Sequence, residues 1–239
     1  DPSAMAASRV GWASKTMTDA SAAAMSGRHL HAVDDVLARH RSFFGVHTVL
    51  RDDSRQFNVL LHGITVHGAQ HLDPRLRHEP TTFYHRDGPL GQLFAALGSG
   101  ERFGQVALVG LGTGSAVCHR EPGRAWTLFE IDPVVVGIAK SKHFTFLANC
   151  QPKADVVIGD ARLTMSKEKD ESFDLLVIDA FSSDAIPMHL ITAEALRLYA
   201  SKLAPDGLAV LHISNRYLDL ESVIETGCID KSPKRDARD

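Results

Sequence analysis

Hydrophobic residues in the central part of the chain fall into short unbroken runs with helical patterns between them. The runs cover residues 106–109, 126–131, 154–159, 173–178 and 208–213. Apolar runs of this length, without alternating polar residues, are typical of parallel strands that are covered on both faces. The helical patterns cover residues 90–97, 132–142 and 188–203. Strands and helices that alternate in this order predict an α/β fold with a doubly wound parallel sheet.

The preceding part of the chain has a different pattern. Residues 43–51 and 57–66 are rich in β-branched and aromatic side chains, and a polar stretch separates them. They predict a small antiparallel β-hairpin unit ahead of the parallel sheet. Residues 31–41 predict a short helix with Val33, Val36 and Leu37 on one face.

A glycine-rich turn follows the first run of the predicted sheet. Gly110, Gly112 and Gly114 let the backbone approach a ligand and present the N–H groups that open the next helix. Glu130 ends the next strand, where a carboxylate can accept hydrogen bonds from ribose hydroxyls. Ser115 stands where a dinucleotide pattern has its third glycine. The pattern favours a nucleoside ligand without pyrophosphate, such as S-adenosylmethionine or a relative; a tight strand-to-helix turn is the alternative.

Acidic residues end several of the predicted parallel strands. They are Glu130, Asp132, Asp160 and Asp179. Open α/β sheets bind their ligands at the carboxyl edge, so we expect these carboxylates to lie around one site. Each could instead cap a helix, and Asp132 before Pro133 has the pattern of an N-cap.

Asp179 and Asp184 lie in a loop after the fourth strand, beside the expected reactive end of the ligand. A sulfonium donor needs no acid, because its sulfur leaves as a neutral thioether, but it needs a deprotonated nucleophile held in line. An amine nucleophile arrives protonated at neutral pH, so carboxylates would attract it and accept its proton. The alternative is that Asp179 caps a helix and Asp184 lies on a solvated loop.

The overall charge excludes some partners. The chain has 26 basic and 29 acidic residues and a formal net charge of −3, so no strong field attracts nucleic acid or an anionic membrane. Its longest apolar runs fall short of the roughly 18 residues that a spanning helix needs. We therefore expect a small-molecule substrate, no nucleic acid and no membrane span in this chain.

The cysteines and histidines give no recognised ligand spacing. Cys118, Cys150 and Cys228 are widely separated, which predicts reduced cysteines and a cytoplasmic protein without a disulfide or zinc site. Five histidines between His62 and His85 fit no standard metal motif, so we expect structural or substrate-contacting histidines and no metal.

Several motifs together resemble the spermidine synthase (aminopropyltransferase) family, and most closely its longer bacterial relatives that are fused to membrane segments. The resemblance covers about residues 43–223. LLHGITVHGAQ is similar to a β-hairpin segment that ends in a substrate-facing glutamine, and EPTTFYH to an E-x-x-Y-H segment. VGLGTG, FEID and GDA resemble the family's nucleoside-binding segments, and DAFSSDAIP resembles its D-S-S-D-P loop.

The resemblance implies a Rossmann-like fold of the class I methyltransferase type. It also implies transfer of an aminopropyl group from decarboxylated S-adenosylmethionine to putrescine or a similar amine, leaving methylthioadenosine. The implied cofactor contacts are Gly110, Gly112, Gly114, Glu130, Asp132, Asp160, Ala161 and Gln70. The implied substrate contacts are Gln70, Tyr84, His85 and Asp179. The implied catalytic residues are Asp184, as the base, with Asp179 and Tyr84.

Two other functions stay open at this point. Thr113 stands where the family has an aspartate that receives the donor's amine, which is closer to methyltransferases that use S-adenosylmethionine itself. The polar sequence after residue 221 lacks the family's last strands, which is compatible with a nucleoside-binding module without catalysis. It would also expose the edge of the fifth strand, so we predict a homodimer or pairing with further sequence.

The patterns divide the chain into four parts. Residues 1–27 are expected to be a disordered linker or a cloning remnant, and residues 28–88 a β-hairpin unit with a substrate loop. Residues 89–225 are the predicted nucleoside-binding domain. Residues 226–239 are a charged tail that we expect to be disordered.

Overall fold

The computed structural model describes residues 10–13, 35–98, 103–119, 123–180 and 187–212. In chain order the strands are β1 Val10–Ala13, β2 Val36–Ser42, β3 Gly45–Arg51, β4 Phe57–His62, β5 Thr65–His71, β6 Gln105–Val109, β7 Ala125–Glu130, β8 Asp155–Ile158, β9 Phe173–Ile178 and β10 Leu203–His212. The α-helices are α1 Pro89–Leu97, α2 Pro133–Ala139, α3 Phe146–Cys150, α4 Ala161–Met165 and α5 Ala193–Lys202.

The predicted α/β architecture is confirmed. A six-stranded sheet has the order β1-β10-β9-β6-β7-β8, and its paired strands are parallel. The four-stranded sheet β2-β3-β4-β5 is antiparallel, and in the chain it lies between β1 and the other five strands of the parallel sheet. The chain leaves β6 toward β7 on one side and returns to β9 on the other. Such a switch point opens a crevice at the carboxyl ends of the strands.

Both faces of the parallel sheet are covered, which explains the unbroken apolar runs. In β9, Leu176 and Ile178 join the core on one face with Tyr199 of α5. Leu175 and Val177 join the core on the other face. Because successive side chains of a strand point to opposite faces, consecutive residues of a strand that is buried on both sides are apolar, as in residues 175–178.

The region predicted as a helix over residues 31–41 was assigned wrongly where the structure describes it. Residues 36–42 form β2, which pairs antiparallel with β3. Leu37 and Ala38 of this strand pack against a core that contains Ile138 of α2. Pairing and packing with distant residues therefore outweigh the short helical pattern.

The predicted boundaries of some helices and strands also differ from those in the structure. The run 57–66 is two strands that turn at Gly63, so the predicted hairpin is one part of a four-stranded sheet. Ser115–Cys118 is a short 3-10 turn, where we expected a helix to open. Strand β10 begins at Leu203, directly after α5, and therefore starts five residues before the predicted run 208–213.

The prediction of reduced cysteines was wrong for two of the three. Cys118, in the turn that follows the glycines, forms a disulfide with Cys150 at the end of α3. The bond joins residues that are 32 positions apart in the chain. The cysteine argument for a reducing cytoplasm therefore fails, and a cytoplasmic location stays a prediction.

The edge of β10 is covered within the chain. Strand β1 pairs with it in parallel, from Val10 opposite Ala209 to Ala13 opposite His212. These residues lie inside the segment that we expected to be a disordered linker or a cloning remnant. An exposed edge was the reason for predicting a homodimer, so the homodimer stays a prediction without that support.

Candidate active site

A cavity of about 880 Å³ opens at the switch point of the parallel sheet. Its floor includes residues at the carboxyl ends of β6, β7 and β9, and its wall on one side comes from β3, β4 and β5 of the antiparallel sheet. The antiparallel sheet is held in place by packing of Val49 and Leu60 against Ile138 of α2. Both sheets therefore shape the same site.

The glycine turn brings the end of β6 close to β9. Gly110 has φ +97°, and a Cβ there would lie 2.2 Å from the carbonyl oxygen of Asp179. A larger residue would be strained and would push the two strands apart. The turn also aims the N–H of Leu111 at Glu130, whose Oε2 accepts it at 2.9 Å.

Glu130 is buried beside this turn, at the position predicted for a ribose contact. Its Oε1 accepts the N–H of Asp132 at 2.9 Å, so each carboxylate oxygen has a backbone donor. Burial raises the pKa of Glu130 above its usual value, although the hydrogen bonds from Asp132 and Leu111 act in the opposite direction. The carboxylate lines the cavity and is held in one orientation.

Asp132 is used mainly to join the two sheets. Its Oδ1 accepts the N–H of Val134 at 2.9 Å and caps α2, as the sequence predicted. Its Oδ2 accepts hydrogen bonds from Ser42 at 2.5 Å and from His47 at 2.8 Å. Burial, the largest effect, raises the pKa of Asp132, but the donors from Ser42, Val134 and His47 together lower it.

Asp132→Ala is expected to lower the free energy of unfolding by about 2–4 kcal/mol, because α2 loses its cap and His47 loses its buried acceptor. A carboxyl group with a lowered pKa stabilises the fold above its unfolded pKa, and this contribution is lost as the pH falls below about 4. Urea titrations at pH 7 and pH 3 measure both effects. Exposed Asp155→Ala is the control, and an equal loss in both variants would contradict the prediction.

Tyr84, Asp179 and His212 form a connected group on another side of the cavity. The Tyr84 hydroxyl donates to Oδ2 of Asp179, and Nδ1 of His212 lies 2.7 Å from Oδ1 of the same carboxylate. Burial, and then the negative charge of Asp179, raises the pKa of Tyr84 well above its usual value. The Tyr84 hydroxyl therefore stays protonated and donates.

Asp160 and Ala161 line the cavity at the end of β8. Oδ1 of Asp160 caps α4 by accepting the N–H of Leu163 at 3.1 Å, and Oδ2 lies 3.0 Å from Nε2 of His189. Asp160 therefore caps α4 and lines the cavity at the same time.

Comparison with solved structures identifies the fold. A spermidine synthase crystallised with the transition state analogue AdoDATO matches at a TM-score of 0.55 and 20% identity, covering 73% of this chain and 57% of that one. A probable spermidine synthase from Corynebacterium glutamicum ATCC 13032 matches at a TM-score of 0.61 and 16% identity, covering 73% of this chain and 62% of that one. The chain has the fold of the spermidine synthases.

The sequence similarity covers a smaller part of the chain. A polyamine aminopropyltransferase from Vibrio vulnificus (strain CMCP6) is 34% identical over 113 residues, which are 44% of this chain and 36% of that protein. The chain thus spans about a third of the length of this curated relative. No family model matches this chain.

Two residues that the spermidine synthase motifs implied as contacts lie elsewhere. The side chain of Gln70 is buried, and its amide bonds to the carbonyl of Arg77 and to Thr145. His85 accepts the N–H of Asp87 at 3.2 Å. Neither is among the described residues that line the cavity.

The other predicted site residues also include some that line the cavity and some that do not. Gly110 and Gly112 line the cavity, whereas Gly114 is turned toward the side chain of Leu147. Asp184, the predicted base, lies outside the described residues. His212 lines the cavity but was not predicted, because we considered only acidic residues at the strand ends. Its position at the end of β10 was the signal that could have identified it.

The described part of the cavity wall is acidic. Its carboxylates are Glu130, Asp132, Asp160 and Asp179, and none of its described residues is Lys or Arg. Such a cavity favours a cationic ligand and disfavours a phosphate. Among the described residues, no group of His, Cys, Asp and Glu has the arrangement of a metal site. No helix in the described ranges combines the length and hydrophobicity that crossing a membrane requires.

Proposed function

We propose that the protein transfers an aminopropyl group from decarboxylated S-adenosylmethionine to a polyamine acceptor and releases methylthioadenosine. The observation that carries this proposal is the acidic cavity at the switch point, where Glu130 and Asp179 stand at the ends of β7 and β9, the strands on either side of β6. Both proposed substrates are cations, and the described wall supplies carboxylates without a competing Lys or Arg. The name of the Vibrio vulnificus relative and the AdoDATO complex support the same class of reaction.

Each end of the cavity has a proposed role. Glu130 accepts from the ribose hydroxyls, Asp160 and Ala161 contact the adenine, and Gly110 contacts the donor near the glycine turn. Asp179, held by Tyr84 and His212, attracts the ammonium group of the acceptor. Asp184, which the resemblance of its loop to the family motif implies, is our proposed base for the acceptor amine.

The chemistry of the step follows from the donor. The acceptor amine must lose a proton before its nitrogen can attack the carbon that is bonded to the sulfonium. The new C–N bond forms as the C–S bond breaks, and the electron pair goes to sulfur, giving a neutral thioether. The residues of the site therefore act on the acceptor: carboxylates bind it as a cation, orient it and accept its proton.

One observation favours methyl transfer from S-adenosylmethionine as a second candidate. Thr113 is buried, and a Cβ on Gly68 of β5 would lie 2.6 Å from its Oγ1. The side chain that replaces the family's amine-binding aspartate thus carries no charge and lies against β5.

Calorimetric binding distinguishes the two candidates. We expect the chain to bind decarboxylated S-adenosylmethionine more tightly than S-adenosylmethionine, and to bind methylthioadenosine as product. Glu130→Gln should weaken all three by about 10–100-fold, because a charged acceptor of ribose hydroxyls is lost. Exposed Glu194→Gln is the matched control and should bind as the wild type does. Tighter binding of the carboxylated donor, with methyl transfer to any acceptor, would decide for the second candidate.

A further inference from the structure

Carboxylates around the cavity are repeatedly paired with histidines. The pairs are Asp132 with His47, Asp160 with His189 and Asp179 with His212, at 2.8, 3.0 and 2.7 Å. All six residues line the cavity. A pair of this kind carries one negative charge when the imidazole is neutral and none when it is protonated. The charge of the cavity therefore depends on its histidines as well as on its acids.

The pair of Asp179 and His212 differs from the other two in its surroundings. The carboxylate of Asp132 also caps α2, and that of Asp160 also caps α4. The carboxylate of Asp179 instead receives side-chain donors on both oxygens, from Tyr84 and from His212. Because a carboxylate only accepts, Nδ1 of His212 must carry the hydrogen.

Two elements of the fold thus fix the orientation of Asp179. Tyr84 lies in the 3-10 turn Thr82–Tyr84 before α1, and His212 ends β10. The ring of Phe83 lies 6.2 Å from that of His212. A carboxylate held from two sides can be aimed into the cavity without support from the ligand.

We propose that His212 is a positioning residue that aims Asp179 at the acceptor and sets, through its own protonation, how strongly the pair attracts a cation. This inference rests on the proposed function. With a neutral imidazole, the pair has a net charge of −1 and holds the ammonium group of the acceptor. With a protonated imidazole, the pair is neutral overall, and the acceptor binds less tightly.

Among the described residues, Asp179 of β9 is hydrogen-bonded to His212, and Tyr84 is connected to it through Asp179. Across the cavity stand Glu130, the pair of Asp160 with His189 and the pair of Asp132 with His47. Imidazoles titrate between about pH 5 and 8, so other histidines contribute to any pH dependence. The part due to His212 is the difference between the wild type and a variant that cannot be protonated there.

The test compares putrescine binding by calorimetry at about pH 8 and pH 5.5, together with kcat and KM for putrescine. His212→Asn keeps an N–H donor for Asp179 but cannot be protonated, and His212→Phe removes the donor. His40→Asn, on exposed β2 outside the cavity, is the matched control. Circular dichroism checks that each variant is folded.

Wild type and His40→Asn are expected to lose roughly tenfold in affinity at the lower pH. His212→Asn should keep its affinity at pH 8 and lose clearly less at the lower pH. His212→Phe should bind weakly at both pH values and have a lower kcat.

An equal loss of affinity in the wild type and in His212→Asn would overturn the inference, as would failure of the folded wild type to bind putrescine. If binding depends on His212 as expected but no aminopropyl product forms at any pH, the inference stands and the proposed function fails. If the wild type transfers the aminopropyl group but His212→Asn has the same pH profile as the wild type, the proposed function stands and the inference fails.

Discussion

Asp179→Asn is expected to lower the rate of aminopropyl transfer by about 10²–10⁴-fold and to leave the fold intact. The asparagine has no negative charge for the acceptor ammonium. Its NH₂ group would also face either Tyr84 or His212, so the hydrogen bond on that side must reverse its direction or be lost. The measurement is release of methylthioadenosine by chromatography, with saturating decarboxylated S-adenosylmethionine and putrescine.

Asp174→Asn provides a control on the same strand. Asp174 lies at the amino end of β9, far from the cavity, and its Oδ2 accepts the N–H of Gln105 at 2.8 Å. This variant should have nearly the activity of the wild type. Equal activity in Asp179→Asn and Asp174→Asn would remove Asp179 from the mechanism.

Loss of the disulfide has the largest expected effect on stability. Replacing Cys118 and Cys150 by Ser should lower the free energy of unfolding by about 3–4 kcal/mol, because the bond closes a loop across 32 positions. For a chain of this size, the melting temperature should fall by roughly 6–15 °C. Differential scanning calorimetry of the double variant and the wild type measures the change.

Cys228→Ser is the control for this experiment, because it keeps the bond between Cys118 and Cys150. It should melt within about 2 °C of the wild type. Titration of thiols in the unfolded wild type, without reductant, should find one free thiol. Finding three would show that the bond does not form in solution.

The strand-end residues show how far sequence reasoning reached. Glu130, Asp160 and Asp179 could be placed around one cavity because the carboxyl ends of parallel strands meet at one edge. The same rule applies to His212 at the end of β10, but a histidine has too many structural uses to be noticed without its partner. Its distance to Asp179 identifies it, and that distance depends on the order of the strands.

Other errors came from contacts that no local pattern contains. Gln70 ends a motif that resembles a substrate-facing segment, yet its amide is used by Thr145 and the carbonyl of Arg77. Cys118 and Cys150 carry no spacing signal, because their sulfur atoms meet only when α3 packs beside the turn after the glycines. Spacing along the chain predicts elements, but it does not predict which side chains of separate elements meet.

The position of β1 has a consequence for how the chain folds. Strand β1 is the first of the described strands to be synthesised, and it pairs with β10, the last of them. Pairing between segments so distant in sequence closes a large loop, and contacts of this kind form slowly. We therefore expect the inner strands β6, β7 and β9 to assemble first, with β1 joining the sheet late. During that interval the outer side of β10 is open to strands of other molecules, which makes aggregation during refolding most severe at high protein concentration.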